Sequence, residues 1–272
     1  MAVIRVPGRP DLRAGPEAMA AAVTEDTVML YASAPAYSAG VMDPIAEIGE
    51  VAAQKGLWLH VDACVGGILA PFVRKAGYSV PGFDFTIPGV SSISADLHKS
   101  GFTAKGCSLA LFRDETLREH ARFTFSDWPG APYGTYTFTG TRPGGAIAAA
   151  WAAQQYLGEE GYVGLAKQAM AAKERFVEGL LVMPGFFIHG DPELWDVCFG
   201  SSVVDTVLLQ QFLAAAGWRM GNVTSPKGIQ MMFTPVHLPA IPDMLEAIRT
   251  AAARVAAGED PSQTPPVDTR YS

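Results

Sequence analysis

The chain has 272 residues, 49% hydrophobic and 17% charged, an ordinary globular composition with material for a large core. A formal net charge of −7 leaves no basic footprint for nucleic acid, and no stretch reaches the roughly 18 uninterrupted apolar residues of a membrane span. The start, Met1-Ala2-Val3-Ile4-Arg5, is not that of a signal peptide, and Cys64, Cys107 and Cys198 are widely spaced with no C-x-x-C pair, so a cytoplasmic protein without disulfides is expected. Neither those cysteines nor His60, His98, His120, His189 and His237 have metal-site spacing, so no metal is expected.

The first 115 residues alternate short β-rich runs with helical stretches. Residues 28–34 (VMLYASA) predict a buried strand, ended by Pro35 and Gly40. A helix follows to about Lys55, with Asp43 as N-cap, Pro44 in the first helical position and Gly56 as its stop. Residues 57–63 (LWLHVDA) predict the next strand, and Gly66-Gly67 open a short helical segment. Residues 83–87, 91–94 and 106–112 read as further strands. Strand, helix and strand at this spacing imply βαβ units and a mostly parallel sheet.

From about Gly144 the pattern changes to long helices at 146–157 and 163–181, separated by Gly158 and Gly161. Strands at 186–189 and 197–199, a helix at 204–216, a strand at 230–233 and a helix at 242–256 then suggest a small α+β domain. The expected organisation is α/β, with residues 1–145 in a large domain and 146–257 in a connecting helix and small C-terminal domain. Residues 258–272, rich in Pro, Ser, Thr and Asp, are expected to be a disordered tail.

Two segments carry chemistry. Asp62 closes an apolar strand, and the carboxyl end of such a strand is where open α/β sheets bind ligands. Read alone, Asp62 serves equally well as an N-cap for the segment at Gly66. His60 shares its strand face and reads more simply as a packed histidine than as a catalytic one. The second segment, Ser91-Ser92-Ile93-Ser94-Ala95-Asp96-Leu97-His98-Lys99-Ser100-Gly101, puts a His-Lys pair among small residues, 37 positions after Asp62. A lysine that attacks a carbonyl must first shed its proton, so burial or a nearby cation is expected to favour its neutral amine. In isolation His98-Lys99-Ser100-Gly101 reads as a surface loop.

Together the segments say more. Asp62-Ala63-Cys64 with Gly66-Gly67, then Ser92-Ile93 with Asp96 and His98-Lys99, then Lys105-Gly106-Cys107-Ser108, resemble the pyridoxal-phosphate decarboxylase superfamily of the aspartate aminotransferase fold (fold type I). Tyr133-Gly134, Gly140-Thr141-Arg142-Pro143-Gly144-Gly145, Gly158-Glu159-Glu160-Gly161-Tyr162 and Gly217-Trp218 follow in the same order. The resemblance runs from about residue 16 to about residue 255 and looks most like the sphingosine phosphate lyases within that superfamily.

The resemblance implies pyridoxal 5'-phosphate as cofactor, Lys99 as the lysine that joins its aldehyde and Asp62 as the partner of its pyridine nitrogen. It places His98 beside the phosphate or the lysine, and Tyr133 and Arg142 in a loop that approaches an active site, that of the neighbouring subunit of a homodimer included. A structural salt bridge for Arg142 and a packed aromatic for Tyr133 are the plainer alternatives. Tyr37, in the loop after the first strand, is a weaker candidate for handling substrate or a proton. Ser100 departs from the family, where a larger residue is usual.

The implied reaction is carbon–carbon cleavage of a small-molecule amine, first a phosphorylated long-chain amino alcohol. Amino-acid decarboxylation is the alternative. The family's glycine-rich phosphate cup with Thr, Glu and Ser lies upstream of the matching segment, and no G-G-T-E-S-like element occurs here. A truncated product, a misplaced start or half of a split enzyme is therefore expected, and an inactive remnant or interaction subunit is the third reading.

Overall fold

The structure, a computed structural model, describes residues 2–263. A short helix α1 (Pro16–Ala22) leads into strand β1 (Met29–Ser33), helix α2 (Ile45–Lys55), strand β2 (Trp58–Asp62), helix α3 (Gly66–Lys75) and strand β3 (Val90–Asp96). β1, β2 and β3 are parallel neighbours, and strand β4 (Ser108–Phe112) returns antiparallel to β3, giving the order β1-β2-β3-β4. The sheet is thus mostly parallel, as the βαβ spacing predicts.

Strand side chains alternate, so each strand has one face of each kind. Leu30, Ala32, Leu59, Val61, Ile93 and Ala95 are buried in the core beneath α2 and α3. Gly66 is required by this packing: a Cβ there would lie 2.3 Å from the Ala34 carbonyl oxygen. The helix limits follow the punctuation, with Gly56 left-handed (φ 62°) at the end of α2. Asp43 does not cap α2. Pro44 is the flanking residue, and the Asp43 carboxylate instead accepts from the backbone N–H groups of Ala14 and Ser33, both at 2.8 Å. Nor do residues 83–87 form a strand. The Asp84 carboxylate accepts from the Thr86 N–H at 2.9 Å and turns the chain there.

Helix α4 (Glu115–Glu119) is capped by Asp114, and a small exposed hairpin pairs strands β5 (Phe123–Phe125) and β6 (Tyr133–Thr135). Helix α5 (Gly144–Leu181) then runs almost continuously, broken only at Gly158 (φ 55°, ψ −171°) and not at Gly161. Strands β7 (Phe186–Ile188) and β8 (Asp196–Ser201), helix α6 (Thr206–Ala215), strands β9 (Gly221–Thr224) and β10 (Lys227–Met232), a 3-10 helix (Pro235–Ala240) and helix α7 (Ile241–Ala256) follow. These strands form a second, antiparallel sheet in the order β7-β8-β10-β9. Phe176 of α5 packs against Phe199 and Phe233, with ring centroids 5.5 and 4.9 Å away. Pro261–Gln263 forms a short 3-10 turn where the sequence suggests disorder, while the rest of that tail, 264–272, lies outside the described residues. Among the described residues no helix is long and apolar enough to cross a membrane.

Candidate functional site

The parallel register brings the chemistry-bearing side chains to one end and one face of the first sheet. Tyr31 lies opposite His60, and Asp62 opposite Ser94, all on the face away from α2 and α3. Asp62 ends β2 and Asp96 ends β3, so both carboxylates stand at carboxyl ends of parallel strands.

Asp62 Oδ2 accepts from the Tyr31 hydroxyl at 2.6 Å, and its Oδ1 accepts from the Ser94 hydroxyl at 2.9 Å and the Cys64 N–H at 3.0 Å. Burial pushes this carboxyl up, but the hydrogen bonds from Tyr31, Cys64 and Ser94 outweigh it and hold the pKa at about 2. Asp62 is therefore a fixed anion. It does not cap α3, whose flanking residue is Val65. His60 is half-buried, its Nδ1 2.7 Å from the Ser92 hydroxyl and its ring 5.2 Å from that of Tyr31.

Lys99 lies just beyond β3. Its Nζ is 2.9 Å from Asp96 Oδ2, and it shares a cleft with Cys64, whose backbone N–H is bonded to Asp62. Burial works against the ammonium, yet Cys64 and Asp96 win and raise the lysine's pKa. This reverses the expectation of a neutral amine: the neighbour of Lys99 is a carboxylate, not a cation. His98 Nδ1 donates to the Cys107 carbonyl oxygen at 2.9 Å, and its Nε2 is 3.6 Å from Asp96. The turn carrying Lys99 is tied down on both sides. The buried Ser100 hydroxyl donates to the Val65 carbonyl, and the Tyr162 hydroxyl of α5 donates to the Gly101 carbonyl at 3.0 Å.

A cleft of about 720 Å³ opens beside Lys99. Tyr37, Cys64, His98 and Lys99 line it, together with Trp195, just before β8, and Phe233, just after β10. Tyr133 and Arg142 do not line it. Tyr133 is exposed on β6, and Arg142 Nη1 donates to the Gly140 carbonyl at 2.9 Å and to the Thr137 hydroxyl. The side chains that sequence reasoning passes over are Tyr31, Ser94 and Trp195, and Asp96 is read there as part of a motif without a role. The period-2 pattern of 28–34 could have placed Tyr31 on the Asp62 face, but nothing local announces Trp195.

Comparison with known proteins identifies the family and the fold. A model of the pyridoxal-dependent decarboxylase conserved domain matches residues 3–202. The chain is 38% identical to the sphingosine-1-phosphate lyase of Arabidopsis thaliana over 257 residues, covering 94% of this chain and 47% of that protein. It is 39% identical to sphingosine-1-phosphate lyase 1 of Mus musculus over 238 residues, 87% of this chain and 42% of that one. The chain thus spans about half the length of the curated relatives it matches. Among solved structures, a sphingosine-1-phosphate lyase of Burkholderia pseudomallei matches with TM-score 0.88 and 34% identity, over 93% of this chain and 58% of that one. A Lactobacillus brevis glutamate decarboxylase, 19% identical, shares the fold with TM-score 0.78 over 92% of this chain and 60% of its own. The architecture is fold type I of the pyridoxal-phosphate enzymes, and the chain belongs to the pyridoxal-dependent decarboxylase family.

Proposed function

We propose that the protein is a pyridoxal-phosphate-dependent carbon–carbon lyase that cleaves a phosphorylated long-chain amino alcohol by a retro-aldol reaction. The observation that carries this reading is that Asp62 and Asp96 end neighbouring parallel strands, with Lys99 Nζ held 2.9 Å from Asp96. The residues fit the cofactor. Asp62, itself outside the cleft lining, is anionic at any ordinary pH, which suits a protonated pyridine nitrogen, and Lys99 lines the cleft together with Cys64, whose N–H is bonded to Asp62. When bound, the cofactor supplies an electron sink for a carbanion beside the substrate nitrogen.

The chain's own groups have these roles. Asp62 keeps the proton on the ring nitrogen. Lys99 Nζ is the nucleophile, and Asp96 Oδ2 at 2.9 Å is placed to take the proton it must shed. His98 lies next to Lys99 in the cleft, suited to contact an anionic group there. Tyr37, exposed at the cleft, is the candidate for holding the substrate hydroxyl proton. Trp195 and Phe233 offer an apolar wall that excludes water. Tyr133 and Arg142, outside this cleft, act in the neighbouring subunit's site of a homodimer. A cytoplasmic location belongs to the same reading and is supported by three free thiols, Cys64, Cys107 and Cys198.

Amino-acid decarboxylation is the second reading, favoured by the description of the matching family. The test is direct. Added cofactor should give the chain the visible chromophore of a lysine-bound pyridoxal, absent in Lys99→Ala. Aldehyde release from a phosphorylated sphingoid base supports the lyase, and carbon dioxide from an amino acid supports the decarboxylase. A chain that takes up no cofactor is the remnant or subunit instead.

A further inference from the structure

The cleft beside Lys99 takes its lining from around both sheets, and a small polar ring joins the two contributions. Tyr37 comes from the loop after β1, which is closed on itself. There the Ala36 N–H donates to the Val41 carbonyl and the Gly40 N–H to the Ala36 carbonyl, both at 2.8 Å. Trp195 and Phe233 flank strands of the second sheet and are joined to each other, the Phe233 N–H donating to the Trp195 carbonyl at 2.9 Å. The segment before Trp195 is in turn fixed to α5, where Lys173 Nζ donates to the Pro192 carbonyl at 2.9 Å.

Arg13 and Glu193 connect these pieces. Glu193 Oε1 is 2.6 Å from Arg13 Nη1, and its Oε2 accepts from the Met42 N–H at 3.0 Å. Arg13 Nη1 donates to the Met42 carbonyl, and Nη2 to the Asp191 carbonyl at 3.1 Å. Met42, directly after the Tyr37 loop, is therefore held through both its backbone groups. The two charged side chains are only 17% and 18% exposed, so water screens this pair far less than one on the surface. Glycine permits the close approach twice more. A Cβ on Gly40 would lie 2.2 Å from the Asp196 carbonyl oxygen, and one on Gly190 would lie 2.9 Å from Val41.

We propose that Arg13 and Glu193 are positioning residues: they fix Tyr37 relative to Trp195 and Phe233 and so set how tightly the cleft holds the apolar chain of its substrate. The proposal rests on the lyase reading above. The groups that serve the cofactor in that reading stand apart from the ring. Asp62, Asp96 and Lys99 belong to β2, β3 and the turn beyond β3, and their partners are Tyr31, Cys64, Ser94 and one another. Opening the ring should therefore loosen the grip on the substrate chain and leave cofactor uptake in place. An ion pair that only stabilised the fold would affect both alike.

The test compares the parent chain with Glu193→Ala, which opens the ring, and Glu193→Gln, which keeps an acceptor for the Met42 N–H but loses the charge facing Arg13. Both variants should show the parent's visible chromophore on adding cofactor. KM for a long-chain phosphorylated sphingoid base should rise about tenfold in Glu193→Ala and less in Glu193→Gln, with kcat little changed, because the lost binding is common to ground and transition states. KM for a short-chain analogue should not move. Hydrogen exchange, read without cofactor, should quicken at 36–42 and 190–196 in Glu193→Ala and stay unchanged at 57–63. An unchanged long-chain KM overturns the proposal, as do equal rises for both chain lengths or a chromophore lost in a folded variant. A parent that shows no chromophore or releases no aldehyde defeats the lyase reading alone, and exchange then decides. Quickening confined to 36–42 and 190–196 supports the positioning role, and unchanged exchange overturns it. Should Glu193→Ala not fold, Glu193→Gln carries the same measurements.

Discussion

Asp62 and Asp96 share one sheet face and one strand end, yet their neighbours prepare them for different work. Three donors surround Asp62 and fix it as an anion, whereas Asp96 meets the Lys99 ammonium at 2.9 Å. The sign of the second contact can be tested. Burial alone lowers the pKa of a lysine, and here the Cys64 and Asp96 contacts outweigh it, so removing the Asp96 charge should bring the Lys99 pKa down. Competitive acetylation against pH should show the Lys99 midpoint lower in Asp96→Asn than in the parent. An unchanged or higher midpoint would show that Asp96 does not hold the ammonium. Lys99 and Asp62 were legible in the sequence because each sits in a contiguous motif. Their surroundings were not. Tyr31 reaches Asp62 only through the parallel register of β1 on β2, and Trp195 reaches the cleft from the loop before β8, nearly a hundred residues later.

At the level of elements, local chemistry and hydrophobic pattern foretold what they control. α6 is an instance: the helix expected over 204–216 forms over Thr206–Ala215, and Asp205, not singled out in the sequence, caps it, its Oδ1 accepting from the Val207 N–H at 2.8 Å and the Leu208 N–H at 3.2 Å. Asp205→Ala should cost about 1 kcal/mol of stability as those donors lose their cap. Chemical denaturation would read this, and a loss near zero would mean that water replaces the carboxylate without penalty. The strands β1 and β2 were equally legible, as short, mostly apolar runs, β1 closed by Pro35 and β2 followed by Gly66-Gly67. The errors have specific causes. Residues 83–87 alternate like a strand, but the Asp84 side chain captures the Thr86 N–H and makes a turn. The hairpin β5–β6 is three residues a side and exposed, so no buried face leaves a mark on its sequence. The two helices expected on either side of Gly158 do part there, but the break is that one residue and Gly161 stays helical, so no linker separates them.

For the whole molecule the decisive group is Asp196, at the contact between the two sheets. It opens β8 against the loop that follows β1, so close that a Cβ on Gly40 would lie 2.2 Å from the Asp196 carbonyl oxygen. Its carboxyl is fully buried, and neither oxygen has a hydrogen-bond partner. Burial pushes its pKa up to about 8, with the Lys99 charge pulling weakly the other way. Unfolded, the same group titrates near 4. Between these values the folded protein holds a proton that the unfolded chain has released, so this group's contribution to stability falls as pH rises from about 4 to about 8. Asp62 works in the opposite sense. Its folded pKa is depressed, and its contribution is lost as pH falls from about 4 towards 2. Asp196→Asn should therefore flatten the decline in melting temperature between pH 4 and 8 and leave the acid limb unchanged. Asp196→Val removes the unpartnered oxygens as well and should stabilise the protein by about 1–3 kcal/mol at pH 7. A parent whose melting temperature is flat from pH 4 to 8, or an Asn variant that keeps the parent's slope, would show that Asp196 is not the proton-linked strain between the sheets.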